Sequence, residues 1–425
     1  MTDAGASNHA ESSLGVGDLV RVTIDRMAYG GEGIGTVEGR VVFVSGAFPG
    51  DTVEARVLKV KKSFARAATQ RVLEPSELRG ESSRCAAAEH GAGCCDFAAL
   101  TPQAELRLKE AVLRDQLSRI AGLTVDNLEV RSLEPQRHWR TRTRLGVDEQ
   151  GRAGVRRAGS HELVTEAACV QPVAGLTDGL VGLDARRFRP GAEVVAVMGD
   201  DGRRHVVETR RASRGRRTER IEKIVEGDRE VTHTVCGHAF SFPVTAFWQA
   251  HRRAPEAYSQ RIQQWLAEAL GGEGAGGVGW DLYGGVGLFV PPLAAALGEG
   301  ARVYSVDASH AATASPQGCL SPYDVVVRGS RVERCLGTLP APRAVVLDPP
   351  RTGAGAEVVR GIAQAAPEAV VHIGCDPATF ARDLRSWVDG GYRVGAMELI
   401  NAFPGTHHCE VLALLLLPGR AAGVE

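Results

Sequence analysis

Trp280–Gly298 reads WDLYGGVGLFVPPLAAALG, and this stretch decides the fold. An apolar run ends on Asp281, glycines follow at Gly284, Gly285 and Gly287, and a helix-forming run comes next. A strand, a glycine turn and a helix in that order open an α/β ligand-binding unit, because glycine lets the backbone close on a ligand and aims the helix N-terminus at it. Ala301–Ser309 (ARVYSVDAS) then supplies a second strand that ends in Asp307, placed to accept hydrogen bonds from a ribose diol. These two elements by themselves admit either a dinucleotide or S-adenosylmethionine.

Ala344–Gly355 (AVVLDPPRTGAG) separates the two. A strand runs into Asp348, Pro349, Pro350 and Arg351, and an acidic residue followed by rigid prolines at such a strand end belongs beside S-adenosylmethionine in methyltransferases acting on nitrogenous rings. The bland reading is an Asp that caps the next helix, with prolines shaping a loop. Glu368–Leu384 (EAVVHIGCDPATFARDL) puts Cys375 at the exit of a further apolar strand, before Pro377 and a helix. The dipole at a helix entrance is expected to lower the thiol pKa. Carbon 5 of a uracil needs such a group, since it becomes nucleophilic only after a thiolate adds to carbon 6. The carbon 5 proton must later leave, and Glu410, in Asn401–Pro418 (NAFPGTHHCEVLALLLLP), enters a terminal apolar strand where it could return to the same pocket as the base.

Working outward, residues 15–75 are glycine-punctuated and alternate in polarity, which predicts about five short strands closed into an OB-like barrel. Lys59, Lys61, Lys62 and Arg66, with Phe64 among them, place charge beside an aromatic surface. Leu106, Val112, Leu113, Leu117 and Ile120 then keep near-helical spacing up to Gly122. Residues of about 125–235 are strand-like and basic, and from about Thr245 the pattern turns α/β, with a helix through His251–Leu270 and a glycine-rich linker. The expected organisation is a disordered leader (1–14), the barrel (15–75), a β-rich central domain (76–235) and a Rossmann-like methyltransferase domain (236–425).

The net charge of −1 argues against a nucleic-acid partner only on average, because arginines crowd Arg137–Arg157 and Arg203–Arg220. Those runs are either a phosphate-binding footprint or the solvated faces of an arginine-rich protein. An N-terminus with neither a basic start nor an apolar run, and no apolar stretch near the roughly 20 residues of a membrane helix, predict a cytoplasmic protein without membrane contact. Nine scattered cysteines speak against a disulfide framework and for metal binding or catalysis in a reducing compartment.

Taken in order, the barrel, the cysteine cluster, Phe247-Trp248-Gln249, DLYGGVG, DPPR, GCDPAT and FPGTHHCE resemble the TrmA/RumA (RlmD) family of RNA 5-methyluridine methyltransferases, whose barrel is a TRAM domain. The resemblance covers most of the chain. It implies a class I S-adenosylmethionine fold and Cys375 as nucleophile with Glu410 as base. It also implies a pocket for cofactor and target lined by Gln249, Tyr283, Gly285, Asp307 and Asp348, with Phe247 stacking on the flipped base. It implies an RNA partner, by analogy ribosomal (23S) rather than transfer RNA, and a monomer. Cys85, Cys94, Cys95 and Cys169 resemble the four ligands of the [4Fe–4S] cluster of the RumA branch, although soft thiolates suit zinc as well. Their spacing departs from the family's, since Cys94 touches Cys95, and this requires a sharp turn that Gly91 and Gly93 would allow. Cys236, Cys319, Cys335 and Cys409 are expected to be buried small hydrophobes. Further departures are Gly284 in DLYGG, Gly374 before the nucleophile, Asn401 before Phe403-Pro404, and a proline-interrupted segment after Asp307. They leave open a catalytically degenerate RNA-binding protein.

Overall fold

The structure, a computed structural model, describes residues 14–80, 85–214, 217–271, 276–309 and 317–419. The expected leader lies outside these residues except for Leu14, as do residues 272–275 of the glycine-rich linker and 310–316 of the segment after Asp307. The chain divides into two compact units, Met1–Ser83 with Asp96–Leu108, and Arg84–Cys95 with Lys109–Glu425.

In the first unit, β1 (Leu19–Met27), β2 (Gly33–Val37), β3 (Arg40–Ser45), β4 (Thr52–Val60) and β5 (Phe64–Glu74) close into a barrel in the order β1-β2-β3-β5-β4. Alternation decides which face goes in: Val20, Val22 and Ile24 are buried while Arg21 and Thr23 are not. Glycines at 33 and 35 let β2 cross its neighbours closely, because a Cβ there would sit 2.6 Å from the Ala47 carbonyl oxygen or 2.2 Å from that of Thr23. One buried carboxylate ties the turn before β4 to the chain leaving the barrel. Asp51 accepts from the Phe48 amide at 2.7 Å, the Ser76 amide at 2.8 Å and the Arg79 guanidinium at 2.7 and 2.8 Å. Phe97 packs edge-on against Phe48 at 5.8 Å, and Arg79 lies 4.9 Å over the Phe48 ring.

The helix α1 (Pro102–Gln116) carries the chain into the second unit. Leu113 and Leu117 are buried as their spacing predicts, but Ile120 is 37% exposed. The reason is the final turn, Leu117–Ala121, which is wider than an α-helical one and swings Ala121 inward in its place before Gly122 ends it at φ 68°.

The central stretch forms β6 (Leu128–Ser132), β7 (Arg142–Val147), β8 (Ala153–Arg156), β9 (Leu163–Val164), β10 (Glu193–Met198), β11 (Arg204–Arg214) and β12 (Arg217–Glu226). All but β6 make one sheet in the order β12-β11-β10-β7-β8-β9. A hairpin of β13 (Glu230–Val235) and β14 (His238–Pro243) follows. Its two-residue turn has Cys236 at φ 47° and Gly237 at φ 81°, the left-handed pair that matches strand twist. That turn leaves Cys236 exposed, contrary to expectation, whereas Cys335 and Cys409 are buried and Cys319 is half-buried.

Next come α2 (Ala254–Ala269), β15 (Gly277–Leu282), α3 (Val290–Leu297), β16 (Ala301–Asp307), β17 (Asp324–Gly329), β18 (Ala344–Leu347), α4 (Gly355–Ala365), β19 (Ala369–Gly374), α5 (Pro377–Asp389), β20 (Arg393–Asn401) and β21 (Glu410–Leu416). They build an eight-stranded sheet in the order β17-β16-β15-β18-β19-β21-β20-β6, with β21 antiparallel to both neighbours. Central strands covered on both faces read as largely unbroken apolar runs, as AVVL of β18 and VLALLL of β21 do here: every residue of β18, β19 and β21 is buried. Val195, Val197 and Val207 of the central sheet share one apolar core with Tyr258, Ile373 and Leu412. Among the described residues no helix is long and apolar enough to cross a membrane.

The barrel's dependence on Asp51 is testable. Burial would raise this carboxyl's pKa, but the Arg79 ion pair and the two amides outweigh burial and hold it below the ordinary carboxylate value. A carboxyl held low contributes stability above its unfolded pKa of about 4, and loses it as pH falls through the folded value. Asp51→Asn is expected to lower the opening free energy of the β1–β5 amides by about 3 kcal/mol in hydrogen exchange on the full chain. The wild-type barrel should lose protection below about pH 4, and a variant within 0.5 kcal/mol of wild type would contradict this role.

Candidate active site

Parallel strands of an α/β sheet present their carboxyl ends on one edge, and ligands bind in the crevice there. That edge carries Asp281 in the last pleat of β15 and Tyr283 just after it, Asp307 at the end of β16, Asp348 after β18 and Cys375 after β19. Because β21 runs the other way and Gly374 pairs with Val411, Glu410 enters the sheet beside Cys375.

At the glycine turn, Asp281 lies fully buried beneath Gly284. Its Oδ2 accepts from the Ser305 hydroxyl at 2.8 Å, and its Oδ1 has no hydrogen-bond partner among the described residues. A Cβ at Gly284 would come within 2.2 Å of that carboxylate and 2.6 Å of Ser305 Oγ, so the first glycine of DLYGG leaves room for them. Tyr283 takes the left-handed conformation at φ 59°, uncommon for a bulky residue and here forced by the turn. Asp307 accepts from the Gly285 amide at 3.0 Å and the Ser309 amide at 2.6 Å, one bond to each oxygen. Each oxygen keeps a lone pair for a ligand hydroxyl. Asp348 receives the Gln249 side-chain amide at 3.1 Å. Burial pushes both Asp281 and Asp348 up to about 7, and no cation pairs with either among the described residues. Carboxylates buried this way suit a ligand that carries positive charge, as a sulfonium does.

Cys375 and Glu410 complete the crevice. Asp376 caps α5 by accepting from the Ala378 and Thr379 amides at 3.0 and 2.9 Å, which places Cys375 just outside the helix entrance. Gly374 is required, because a Cβ there would lie 2.4 Å from the Phe380 ring. The thiol pKa nevertheless does not fall: burial pushes it up to about 12, Glu410 and Asp348 add to the rise, and Arg351 only partly opposes it. The expectation from the helix entrance is therefore corrected, since desolvation and two neighbouring carboxylates exceed a half-charge dipole. Burial also raises Glu410 well above the ordinary carboxylate range, with Asp348 adding and Arg351 opposing, and its Oε2 has no partner.

The loops that carry these groups are braced by residues the sequence reading left without roles. Arg142 donates to the Val244 and Ala246 carbonyls, and the Thr141 amide donates to Ala250 at 3.0 Å, fixing the loop of Phe247 and Gln249. Phe247 is 76% exposed, whereas Trp248 is buried against Phe242 at 4.8 Å. The loop before Glu410 is held by the Trp139 indole at 3.3 Å from the Pro404 carbonyl, by Lys109 at 2.6 Å from Asn401 Oδ1, and by Arg351 donating to His408 Nε2 at 3.2 Å.

Arginines 140, 142 and 144 alternate in sequence; Arg142 and Arg144 share one face of β7, and Arg140 lies just before the strand. The positive field of Arg351 acts on Arg140, and those of Arg140 and Arg144 act on Arg142. Beyond Arg144 the face opens into a groove of about 490 Å³ lined by Arg156, His161, Arg211 and Arg220. Arg211 and Arg220 stand directly opposite across the β11–β12 ladder, a like-charge pairing that is unfavourable without a counter-ion. On the barrel, Lys59 faces Arg66 across β4 and β5, while Phe64 is half-buried edge-on against Phe43 at 5.6 Å.

The structure brings Cys85, Cys94, Cys95 and Cys169 together, with all four Sγ atoms within 4.8 Å of one another. Cys85 lies 3.8 Å from Cys94 and Cys95 lies 3.6 Å from Cys169. Gly91 makes the sharp turn at φ 90°, while the Gly93 amide donates to the Arg156 carbonyl at 3.1 Å. Gln171 donates to the Cys94 carbonyl, and the half-buried Arg140, stacked 4.6 Å over Trp139, feels the charges of Cys169, Cys95 and Cys94. Hydrogen bonds from the other three thiols hold Cys85 low, while Cys94 and Cys95 are raised. Four converging soft donors with a cation nearby fit a thiolate-bound metal centre.

Comparison with known proteins agrees with this geometry. Residues 14–69 match the TRAM domain and residues 341–417 match the tRNA (Uracil-5-)-methyltransferase family. An uncharacterized RNA methyltransferase of Corynebacterium glutamicum is 50% identical over 95% of this chain and 98% of its own. A 23S rRNA (uracil(1939)-C(5))-methyltransferase RlmD of Pseudomonas fluorescens is 28% identical over 94% of this chain and 92% of its own. The fold matches the crystal structure of Pyrococcus abyssi tRNA (uracil-54, C5)-methyltransferase in complex with S-adenosyl-L-homocysteine. That match has a TM-score of 0.67 at 19% identity, covering 93% of this chain and all of the other. Half its residues shared along nearly its whole length with an RNA methyltransferase, and its barrel and C-terminal strands both matched, this chain belongs to the TRAM-bearing RNA (uracil-C5)-methyltransferases, enzymes that depend on S-adenosylmethionine.

Proposed function

We propose that this protein methylates carbon 5 of a uridine in 23S ribosomal RNA through a covalent adduct between Cys375 and carbon 6 of the base, acting as a cytoplasmic monomer. The observation that carries the reading is the ladder pairing of Gly374 with Val411, which sets a thiol and a carboxyl side by side at the ligand edge of the sheet. The identity to a ribosomal RNA methyltransferase over 94% of the chain favours ribosomal over transfer RNA.

Asp307, with one oxygen on the Gly285 amide, receives the ribose hydroxyls, while Tyr283 and the glycine turn form the floor of the cofactor site. Asp348, oriented by Gln249, faces the positive end. S-adenosylmethionine supplies an electrophilic methyl on a cationic sulfur. Arg351 acts on both Cys375 and Glu410 and favours their ionised forms as the pocket fills. Cys375 gives up its proton to solvent as the site fills and its thiolate bonds to carbon 6, and the ring electrons move toward carbon 5, which takes the methyl while the donor's sulfur leaves as a neutral thioether. Glu410 removes the carbon 5 proton, the carbon 5–carbon 6 double bond re-forms, and the thiolate leaves. Phe247, exposed beside Gln249, stacks on the extruded base. The RNA strand flanking the target runs along the arginine face from Arg140 past Arg144 to Arg211 and Arg220, with further phosphate contacts from Lys59, Lys61 and Lys62 on the barrel.

The four thiolates are proposed to hold a [4Fe–4S] cluster. A second reading, a single zinc ion, is favoured by their spacing: a tetrahedron with Zn–S of about 2.3 Å has edges of about 3.8 Å, close to the 3.6 and 3.8 Å contacts between the sulfurs. In either case Arg84–Cys95 is tied to Cys169 through the metal, and the centre takes no part in the steps above.

Three outcomes are expected. Cys375→Ala should give neither product nor covalent RNA complex. Glu410→Gln should slow turnover by about 10²- to 10⁴-fold and accumulate protein crosslinked to methylated RNA in denaturing gels. Cys375→Ala that still makes 5-methyluridine, or Glu410→Gln that turns over normally, would contradict the assignment. Anaerobically purified protein should be brown and contain iron and acid-labile sulfide in equal amounts, with Cys95→Ser bleaching it. A colourless protein holding one zinc would instead establish the tetrahedral site. Replacing Arg211 and Arg220 by Ala should weaken RNA binding and reduce the salt slope of log K by about 0.7 for each lost contact. Cofactor binding should be unchanged, and an unaltered slope would remove this face from the RNA path.

A further inference from the structure

Along β11 the pairing with β10 stops at Thr209, which stands opposite Glu193, so from Arg210 onward β12 is its one ladder partner among the described residues. There the two strands form an arm that leaves the edge of the sheet with both faces clear of a third strand. Its root is fixed on both sides, because Val206 belongs to the core of Leu145, Val194 and Phe188 while Val207 belongs to that of Val195 and Val197. Successive residues of a strand point to opposite faces, so these two cores begin two different surfaces. Arg211 and Arg220 continue the Val207 face, which also bears Arg144 through its pairing with Val195, and this is the face given to RNA above. Glu208 and Arg210, with Lys223 and Ile221 opposite them in the ladder, continue the Val206 face.

This second face is basic as well. Arg187, Arg189, Arg210 and Lys223 converge on a pocket of about 340 Å³, and none of the four is in an ion pair among the described residues. Glu208 is the one carboxylate on its lining, with Oε2 accepting from the Arg189 amide at 3.1 Å. Four cations around one concavity against a single carboxylate repel one another unless an anion enters, and a phosphate backbone supplies that anion while releasing its own condensed cations. Phe188, the aromatic residue of the lining, is buried, so the pocket offers contacts to phosphate and no ring on which a base can stack. We propose that the β11–β12 arm enters a folded RNA between two backbone segments, the Val207 face on the strand flanking the target uridine and the Val206 face on a second segment of the same RNA. This rests on the reading of Arg211 and Arg220 as part of the RNA path, and it makes the substrate a folded RNA rather than an unstructured strand.

The test is hydroxyl-radical footprinting with the full chain. It is made on whichever RNA the wild type methylates, a 23S ribosomal RNA transcript or a transfer RNA transcript, so that the choice of RNA and the two-faced arm fail separately. Wild type should protect two backbone stretches that are separate in the RNA sequence. Arg187→Ala/Arg189→Ala/Lys223→Ala, at three exposed positions, should lose one stretch and keep the other, and Arg211→Ala/Arg220→Ala should do the reverse. The triple variant should also lose about 0.9 from the salt slope of log K for each duplex phosphate contact removed, while its binding of an unstructured oligouridine stays within twofold of wild type. An unchanged footprint and slope in the triple variant would overturn the proposal. So would an equal loss on oligouridine, since a single strand would then wrap both faces. If Arg211→Ala/Arg220→Ala leaves every protection in place, the RNA path along that face falls, and the two-faced arm with it.

Discussion

The constraint on which the site depends is the burial of carboxyl groups beside a thiol. Asp281 and Glu410 are buried and Asp348 is half-buried, and removal from water raises all three. The same burial raises Cys375. Without ligands the crevice is thus poised with protons on it, and the nucleophile is not ionised in advance. Two cations can change that: Arg351, built into the chain, and a sulfonium brought by the cofactor.

Such a crevice is costly to hold open, and the surrounding structure is arranged to hold it. Arg142 and the strand before it pin the loop of Phe247 and Gln249 through backbone carbonyls. Trp139 and Lys109 pin the loop before Glu410 in the same way. Trp139 also stacks with His251 at 5.5 Å and with the Arg140 guanidinium, which answers to the cysteine cluster. The cysteine cluster, the arginines at 140, 142 and 144 and the loop before Glu410 therefore meet at one short segment, Trp139–Arg144.

What could be read from the sequence was whatever has a local signature. The glycine turn, Asp307, the proline pair after Asp348 and the strand exits at Cys375 and Glu410 each depend on residues within a few positions, and the strands fall where those signals put them. What could not be read depends on distant atoms. Gly374 is glycine because Phe380 fills the space above it. The rise of Cys375 runs against its place at a helix entrance, because burial and the carboxylates of Glu410 and Asp348 come from distant parts of the chain. The arginines at 142 and 144 read as a cluster in sequence, and the register of β7 puts them on one face. Ile120 and Cys236 departed from expectation for reasons of turn geometry that hydrophobic spacing does not encode.

The central claim is that Cys375 bonds to the base while Glu410 waits for a proton. Mass spectrometry of wild-type protein incubated with S-adenosylmethionine and RNA containing 5-fluorouridine tests it directly, because fluorine at carbon 5 cannot leave as a proton. The account predicts one peptide, containing Cys375, that gains the mass of a methylated fluorouridine nucleotide, and no such peptide when S-adenosylmethionine is omitted. Methylated fluorouridine RNA free of protein, or an adduct on any other cysteine, would contradict it.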